Sequence, residues 1–199
     1  PILGPDIAYK CLAGCCQNVR EAKIAEPATP KKEMDAMENH GKQAKPAETT
    51  IKIQKTANKL NPVFESYFSL KDELIKTNGN AAASKSKDLL NSLNAVNMNE
   101  LSMDIHLVWM KVMKDVTADA LSISETQDIK KQRTLFLTLS KNMYNLIKTA
   151  KYDKPVFYQF CPMTNGGKGG NWLSKENAIK NPYYGSQMMT CGKTVETIK

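Results

Sequence analysis

Aromatic side chains are scarce in this chain, at 7% of 199 residues, and it has only two histidines and five cysteines. One histidine, His40, falls in a stretch with almost no bulky apolar residues. That leaves His106 alone in the part with globular composition. There is no Ser-His-Asp ordering, no glycine-rich phosphate loop before a helix and no carboxylate pair in a recognisable setting. Nothing here assembles a catalytic centre, and the chain reads as a non-enzyme. No apolar run approaches the ~20 residues a transmembrane helix needs. Dense basic runs interleaved with aromatics are also missing. The net charge of +8, from 28 Lys+Arg against 20 Asp+Glu, is spread along the chain. That pattern fits lysines on exposed helix faces rather than a nucleic-acid footprint.

What is present divides the chain in two. Residues 1–57 read as a possible lipoprotein signal remnant followed by a disordered tether. Leu12-Ala13-Gly14-Cys15 has the form of a lipoprotein cleavage box, with small residues at the cut and a thiol to carry acyl chains. Asp6 and Lys10 interrupt the apolar run of ~7–15 residues expected before it, so a chance match is the competing reading. A lipid anchor at Cys15 is the one route to a membrane, and it would place the protein in the periplasm or cell envelope. From Gln17 to Thr56 the chain is rich in Ala, Lys, Glu, Pro and Thr. Such composition cannot bury enough surface to offset the entropy of ordering. Met34, Met37 and His40 lie here and read as incidental residues of a solvated linker.

Residues 58–199 read as a helical domain. Asn61-Pro62 is a helix start, with Phe64, Tyr67, Phe68, Leu70, Leu74 and Ile75 on the apolar side and Asn78-Gly79 as the stop. A second helix begins near Asn80 and turns Ala82, Leu89, Leu90, Leu93 and Val96 inward. A third runs from about Glu100 to Ser122. The fourth begins at Asp128, a cap, and repeats Ile129, Gln132, Phe136, Leu139, Met143, Leu146 and Ala150 at the spacing of a buried face. Short connections between such helices predict an antiparallel up-down four-helix bundle. After Pro155 the period changes to that of a strand through Val156–Phe160. Asn171–Ser174 suggests a second short strand or turn, Ser174 caps a predicted short helix over Lys175–Ile179, and the last residues suggest a further strand. The fold class is mainly α, with a small irregular or β region at the C-terminus.

Chemistry concentrates in that C-terminal region. Cys161-Pro162-Met163 stands at one end of a loop-rich segment and Met188-Met189-Thr190-Cys191-Gly192 at the other. Thiolates and thioethers together select soft ions, above all Cu(I) and Ag(I), with Zn(II) next for the thiolates. In the third helix, Leu101, Ile105, Val108, Val112 and Val116 share one face. Met103, His106, Met110 and Met113 share an adjacent one, with Trp109 between. Methionine also fills irregular core gaps, so this second face has a plain packing explanation as well. The candidate metal ligands are Cys161 and Cys191 as thiolates, His106 as an imidazole, and Met163 and Met188 as thioethers.

Several of these stretches carry a resemblance. They are His106-Leu107-Val108-Trp109-Met110, Asp128 through Ser140, Tyr158-Gln159-Phe160-Cys161-Pro162-Met163, Trp172-Leu173-Ser174, Asn181-Pro182-Tyr183-Tyr184-Gly185 and Met188-Met189-Thr190-Cys191-Gly192. Together, over about Val63 to Val195, the chain resembles the bacterial domain of unknown function 3347. That family occurs alone in secreted proteins or appended to periplasmic adaptor subunits of heavy-metal efflux pumps. The resemblance implies a helical domain in its stand-alone form with a soft-metal association. Its implied partner is an efflux-pump adaptor or another copper-handling protein.

Two functional expectations follow. The first is a periplasmic or envelope Cu(I)/Ag(I)-binding protein acting as chaperone, buffer or efflux accessory, with Zn(II) as a further possible ion. The second is a structural or interaction module in which Cys161 and Cys191 form a disulfide. Closing a loop of ~30 residues contributes about 3–4 kcal/mol on a chain-entropy argument.

Overall fold

The computed structural model describes residues 58–199. The lipoprotein-like box at Cys15, the tether and its Met34, Met37 and His40 lie outside the described residues. Four helices come first: α1 (Asn61–Ile75), α2 (Gly79–Asn94), α3 (Met103–Ser124) and α4 (Ile129–Ala150). Three strands follow: β1 (Val156–Cys161), β2 (Gly170–Ser174) and β3 (Lys193–Ile198). The fold is therefore mainly helical with a small antiparallel sheet at the C-terminal end. Among the described residues, no helix is long and apolar enough to cross a membrane.

The helix boundaries follow local chemistry. Pro62 sits in the first turn of α1, where its missing N–H costs nothing. Asn78 belongs to α2 rather than to the end of α1: its side chain accepts the Ala81 amide as an N-cap. The break between the two helices falls at Thr77, at φ 60°. Asp128 caps α4 by accepting from the Lys130 amide. A short 3-10 turn, Met98–Glu100, precedes α3, which starts three residues later than the apolar pattern suggests.

Consecutive helices pack on one another, and α1 also meets α4. Three hydrogen bonds set α1 and α4 antiparallel. Before α1, the Asn58 side chain donates to the Ala150 carbonyl at 2.8 Å. In the middle, Tyr67 and Ser140 share a bond of 2.8 Å. At the far end, Arg133 Nη2 donates to the Leu74 carbonyl at 3.0 Å. Phe64, Tyr67, Phe68, Val112, Val116, Phe136, Leu139, Met143 and Leu146 fill one buried core. Leu101, Ile105 and Val108 pack at its margin.

The sheet order is β2-β1-β3, with both pairings antiparallel. The pairing of β1 with β3 shifts between Tyr158 and Gln159, so β3 carries an extra residue there. Strand β2 lies on α4, and buried residues from both faces of the sheet, Val156, Leu173 and Ile198 on one and Cys161 and Trp172 on the other, join the core cluster. The predicted short helix after Ser174 does not form. Its Ser174 hydroxyl accepts the Glu176 amide. The Glu176 and Asn177 carbonyls, which a helix would direct along its own axis, instead accept from the buried Gln159 side-chain amide. The segment stays a series of bends pinned to β1.

Candidate functional site, a buried-to-surface thiol pair

Cys161 is the last residue of β1 and is fully buried. Cys191 stands two residues before β3, where the chain returns to pair with β1, and is half-buried. Both are free thiols, and their sulfurs lie 3.2 Å apart. A central strand therefore holds one sulfur fixed, while a turn at the sheet's end presents the other.

The turn is built by Asn181, a buried residue with no exposed surface. Its side-chain amide donates to the Cys191 carbonyl at 2.9 Å. Its side-chain carbonyl accepts the Tyr183 amide at 2.8 Å, and its backbone amide donates to the Met189 carbonyl at 2.9 Å. One asparagine thus stitches both arms of the segment from Asn181 to Cys191. Arg133 secures the other side: Nε donates to the Pro182 carbonyl at 2.8 Å, and Nη2 also donates to Thr77 Oγ1 at 2.9 Å. Gly185, at φ +57°, sits where a Cβ would meet Thr77 Oγ1 and Arg133 Nη2 at under 3 Å, so only glycine lets this loop close on the end of α1. Gly192, at φ +146°, lets the chain beside Cys191 press against Phe160 and Trp172.

The pair is electrostatically unequal. Burial pushes the Cys161 thiol up, but hydrogen bonding by Thr164, the Cys191 thiol, the Met163 amide and Asn181 outweighs it, and the net shift is below the ordinary thiol value. The Thr164 hydroxyl is buried without a conventional partner, which leaves it to favour the Cys161 sulfur. The Cys191 thiol moves up, because it donates to Cys161, is partly desolvated and faces the charge that forms there. The first thiolate of the pair therefore settles on Cys161, and Cys191 keeps its proton longer.

The other candidate ligands fall in two places. Met163 follows in the turn after β1; its side chain is exposed and its carbonyl accepts the Tyr184 hydroxyl at 2.7 Å. Met188 is half-buried in the turn, and its carbonyl accepts the Cys191 amide at 3.1 Å. Both methionines are thus on the segments that carry the cysteines. His106 is not brought to the pair. It lies on α3, which packs against α2 and α4, whereas β2 packs on α4. Among the described residues no three His, Cys, Asp or Glu side chains gather at metal-binding range, so the two cysteines have no imidazole or carboxylate third partner. Sequence reading missed Thr164 and Asn181 as partners of the Cys161 sulfur, since neither has a motif that marks it as one.

The family model described as "Protein of unknown function (DUF3347)" matches residues 63–154. Residues 63–154 belong to this family. The matched DUF3347 segment comprises α1 to α4 and ends just before β1. The thiol pair and both turn methionines lie C-terminal to it. No curated protein and no solved structure matches the chain.

Proposed function

We propose that the protein is a soft-ion binding protein of the cell envelope, holding Cu(I) or Ag(I) between Cys161 and Cys191. The observation that carries this reading is the approach of two free thiols to 3.2 Å across the end of the sheet. Thiolates are the strongest soft donors a protein offers, and a monovalent soft ion is satisfied by two of them. Met163 and Met188 stand on the same two segments and supply thioethers nearby, which add to a soft site and contribute nothing to a disulfide. The Cys161 sulfur is already favoured as thiolate by four hydrogen-bonding groups. Zn(II) fits less well, because structural zinc takes four ligands and the described residues offer no third His, Cys, Asp or Glu beside the pair.

On this reading the chain binds rather than catalyses. Its role is chaperone, buffer or accessory to an efflux system, with an adaptor subunit or another copper-handling protein as receiver. The cleavage-box pattern ending at Cys15 supports the envelope and a lipid anchor. The short α1–α2 and α3–α4 connections, with α1 antiparallel to α4, support an up-down order for the four helices.

The direct sulfur contact also favours a second reading, a disulfide-stapled interaction module. Bound sulfurs stand about 2.05 Å apart. Taking up an ion requires the pair to part, and oxidation requires it to close. Cys191, on the turn, is the partner free to move either way. Anaerobic competition against a Cu(I) chelator separates the readings, using the full chain and its Cys161→Ser/Cys191→Ser variant. Binding by the double variant equal to that of the parent would end the metal reading. A thiol count two lower on freshly purified, unreduced parent protein than on the reduced form, with no such deficit in the Cys161→Ser/Cys191→Ser variant, would then establish the disulfide.

A further inference from the structure

The thiol pair leaves one cluster of soft donors unused. On α3, Met103, His106 and Met110 follow at spacings of three and four residues, which stacks their side chains as neighbours along one helix face. The core-facing side of α3 is fixed by Trp109, Val112, Val116, Ala120 and Ile123, all buried. At about 100° per residue Met103 and Met110 turn well away from that side, with His106 at its edge. The burial agrees: Met103 is 71% and Met110 54% exposed, and His106 is half-buried.

Large apolar side chains are normally withdrawn from water where the helix allows it. Methionine is the core's gap-filler, yet here two methionines face outward around the one histidine of the described residues. The core uses neither of them. Leu107, 54% exposed, lies beside them and reduces local hydration. Asp104, at the flank, is the carboxylate of the first turn, and Lys111 and Lys114 border the far end.

We infer that Met103, His106 and Met110 form a second, surface site for a soft monovalent ion, separate from the thiol pair. Two thioether sulfurs and one imidazole nitrogen make a neutral donor set. Such a set suits Ag(I) or Cu(I) and is poor for Zn(II) or Mg(II), to which thioethers contribute little. Its lack of a thiolate makes it the weaker of the two sites. An exposed, weak soft site on a chain that also holds a buried thiol pair suits an entry or hand-over point. The site does not depend on the Cys161–Cys191 reading, and its reporters are different atoms.

The test is a titration of the full reduced chain with silver nitrate in chloride-free buffer, following methionine methyl carbons and imidazole nitrogens by NMR. Once silver exceeds the thiols, the Met103 and Met110 methyl signals and a His106 ring nitrogen should shift together. His106→Ala should abolish that set of shifts, lower bound silver by one ion per chain and leave the far-ultraviolet spectrum unchanged, since the residue lies outside the buried face of α3. Met103→Leu and Met110→Leu should each weaken the site at least tenfold. Methyl signals that stay fixed in excess silver would overturn the inference. So would shifts that persist unchanged in His106→Ala. Loss of binding at the cysteines alone would leave these reporters unaffected, so the two sites fail independently.

Discussion

The Tyr67 hydroxyl accepts the Leu173 backbone amide at 3.1 Å while sharing a 2.8 Å bond with Ser140. Strand β2 is an edge strand, and Leu173 points this amide away from β1. Two residues earlier the Asn171 carbonyl accepts the hydroxyl of Tyr183. Two buried tyrosines thus stand where a fourth strand would run and satisfy the edge that the core covers. The arrangement ties α1, α4 and the NPYYG loop to the sheet that carries Cys161.

Removing the Tyr67 hydroxyl should therefore cost more than one average hydrogen bond. Tyr67→Phe keeps the ring stacked on Phe136 but leaves the Leu173 amide and Ser140 without this partner in a dry site. The expected loss is about 1–3 kcal/mol, read as a lower urea midpoint at unchanged m-value. An unchanged midpoint would mean that water replaces the hydroxyl.

The same tyrosines set an alkaline limit. Burial pushes the Tyr67 hydroxyl well above its ordinary value, and burial likewise raises Tyr183. A group raised in the folded state contributes stability that is complete below the unfolded value of ~10. That contribution is lost as pH rises toward the folded value. Stability should hold through neutral pH and fall above about pH 10. Absorbance at 295 nm should show these two tyrosines ionising only together with loss of helical circular dichroism. Smooth ionisation of every tyrosine with the helices intact would contradict this.

Asn181 is the residue on which the thiol geometry turns. Asn181→Leu keeps the branched outline of the side chain but removes the bonds to the Cys191 carbonyl and the Tyr183 amide, and the side-chain group that favours the Cys161 thiolate. A loss of about 2–4 kcal/mol is expected for breaking this buried network. Cu(I) affinity in chelator competition should fall with it, even under conditions where the variant remains folded. Affinity equal to the parent's would show that the turn does not position Cys191.

Much of this was legible in the sequence, for identifiable reasons. Asp128 and the three-four repeat of Phe136, Leu139 and Met143 are local signals, and α4 starts where they indicate. The strand period at Val156–Phe160 survives because β1 is central, with neighbours on both sides. Local signals failed where a distant group competes. Gln159 captures the carbonyls that a helix after Ser174 would have used. The pairing of Cys161 with Cys191 was anticipated from two sulfur-rich ends of one loop. The position of His106 was not, because periodicity gives the face of a helix but not what lies opposite. Burial of Trp109 decides which side of α3 turns inward, and this leaves His106 away from the thiols.

Gly192 offers the sharpest test of whether the close approach of the sulfurs matters. Its φ of +146° belongs to the region that glycine favours, and an added Cβ would lie 2.9 Å from both the Phe160 carbonyl oxygen and Trp172 Cη2. Neither neighbour yields easily: one is backbone of the central strand, and the other is a fully buried indole. Gly192→Ala should therefore push the turn outward and destabilise the domain by about 1–3 kcal/mol. Because Cys191 is the adjacent residue, its sulfur should move away from Cys161 while Cys161 stays in β1. Disulfide formation under mild oxidant should then slow at least tenfold relative to the parent. Cu(I) binding should suffer less, since an ion bridges a wider gap than a sulfur–sulfur bond does. Equal oxidation rates for variant and parent would show that the turn, not Gly192, sets the distance between the thiols.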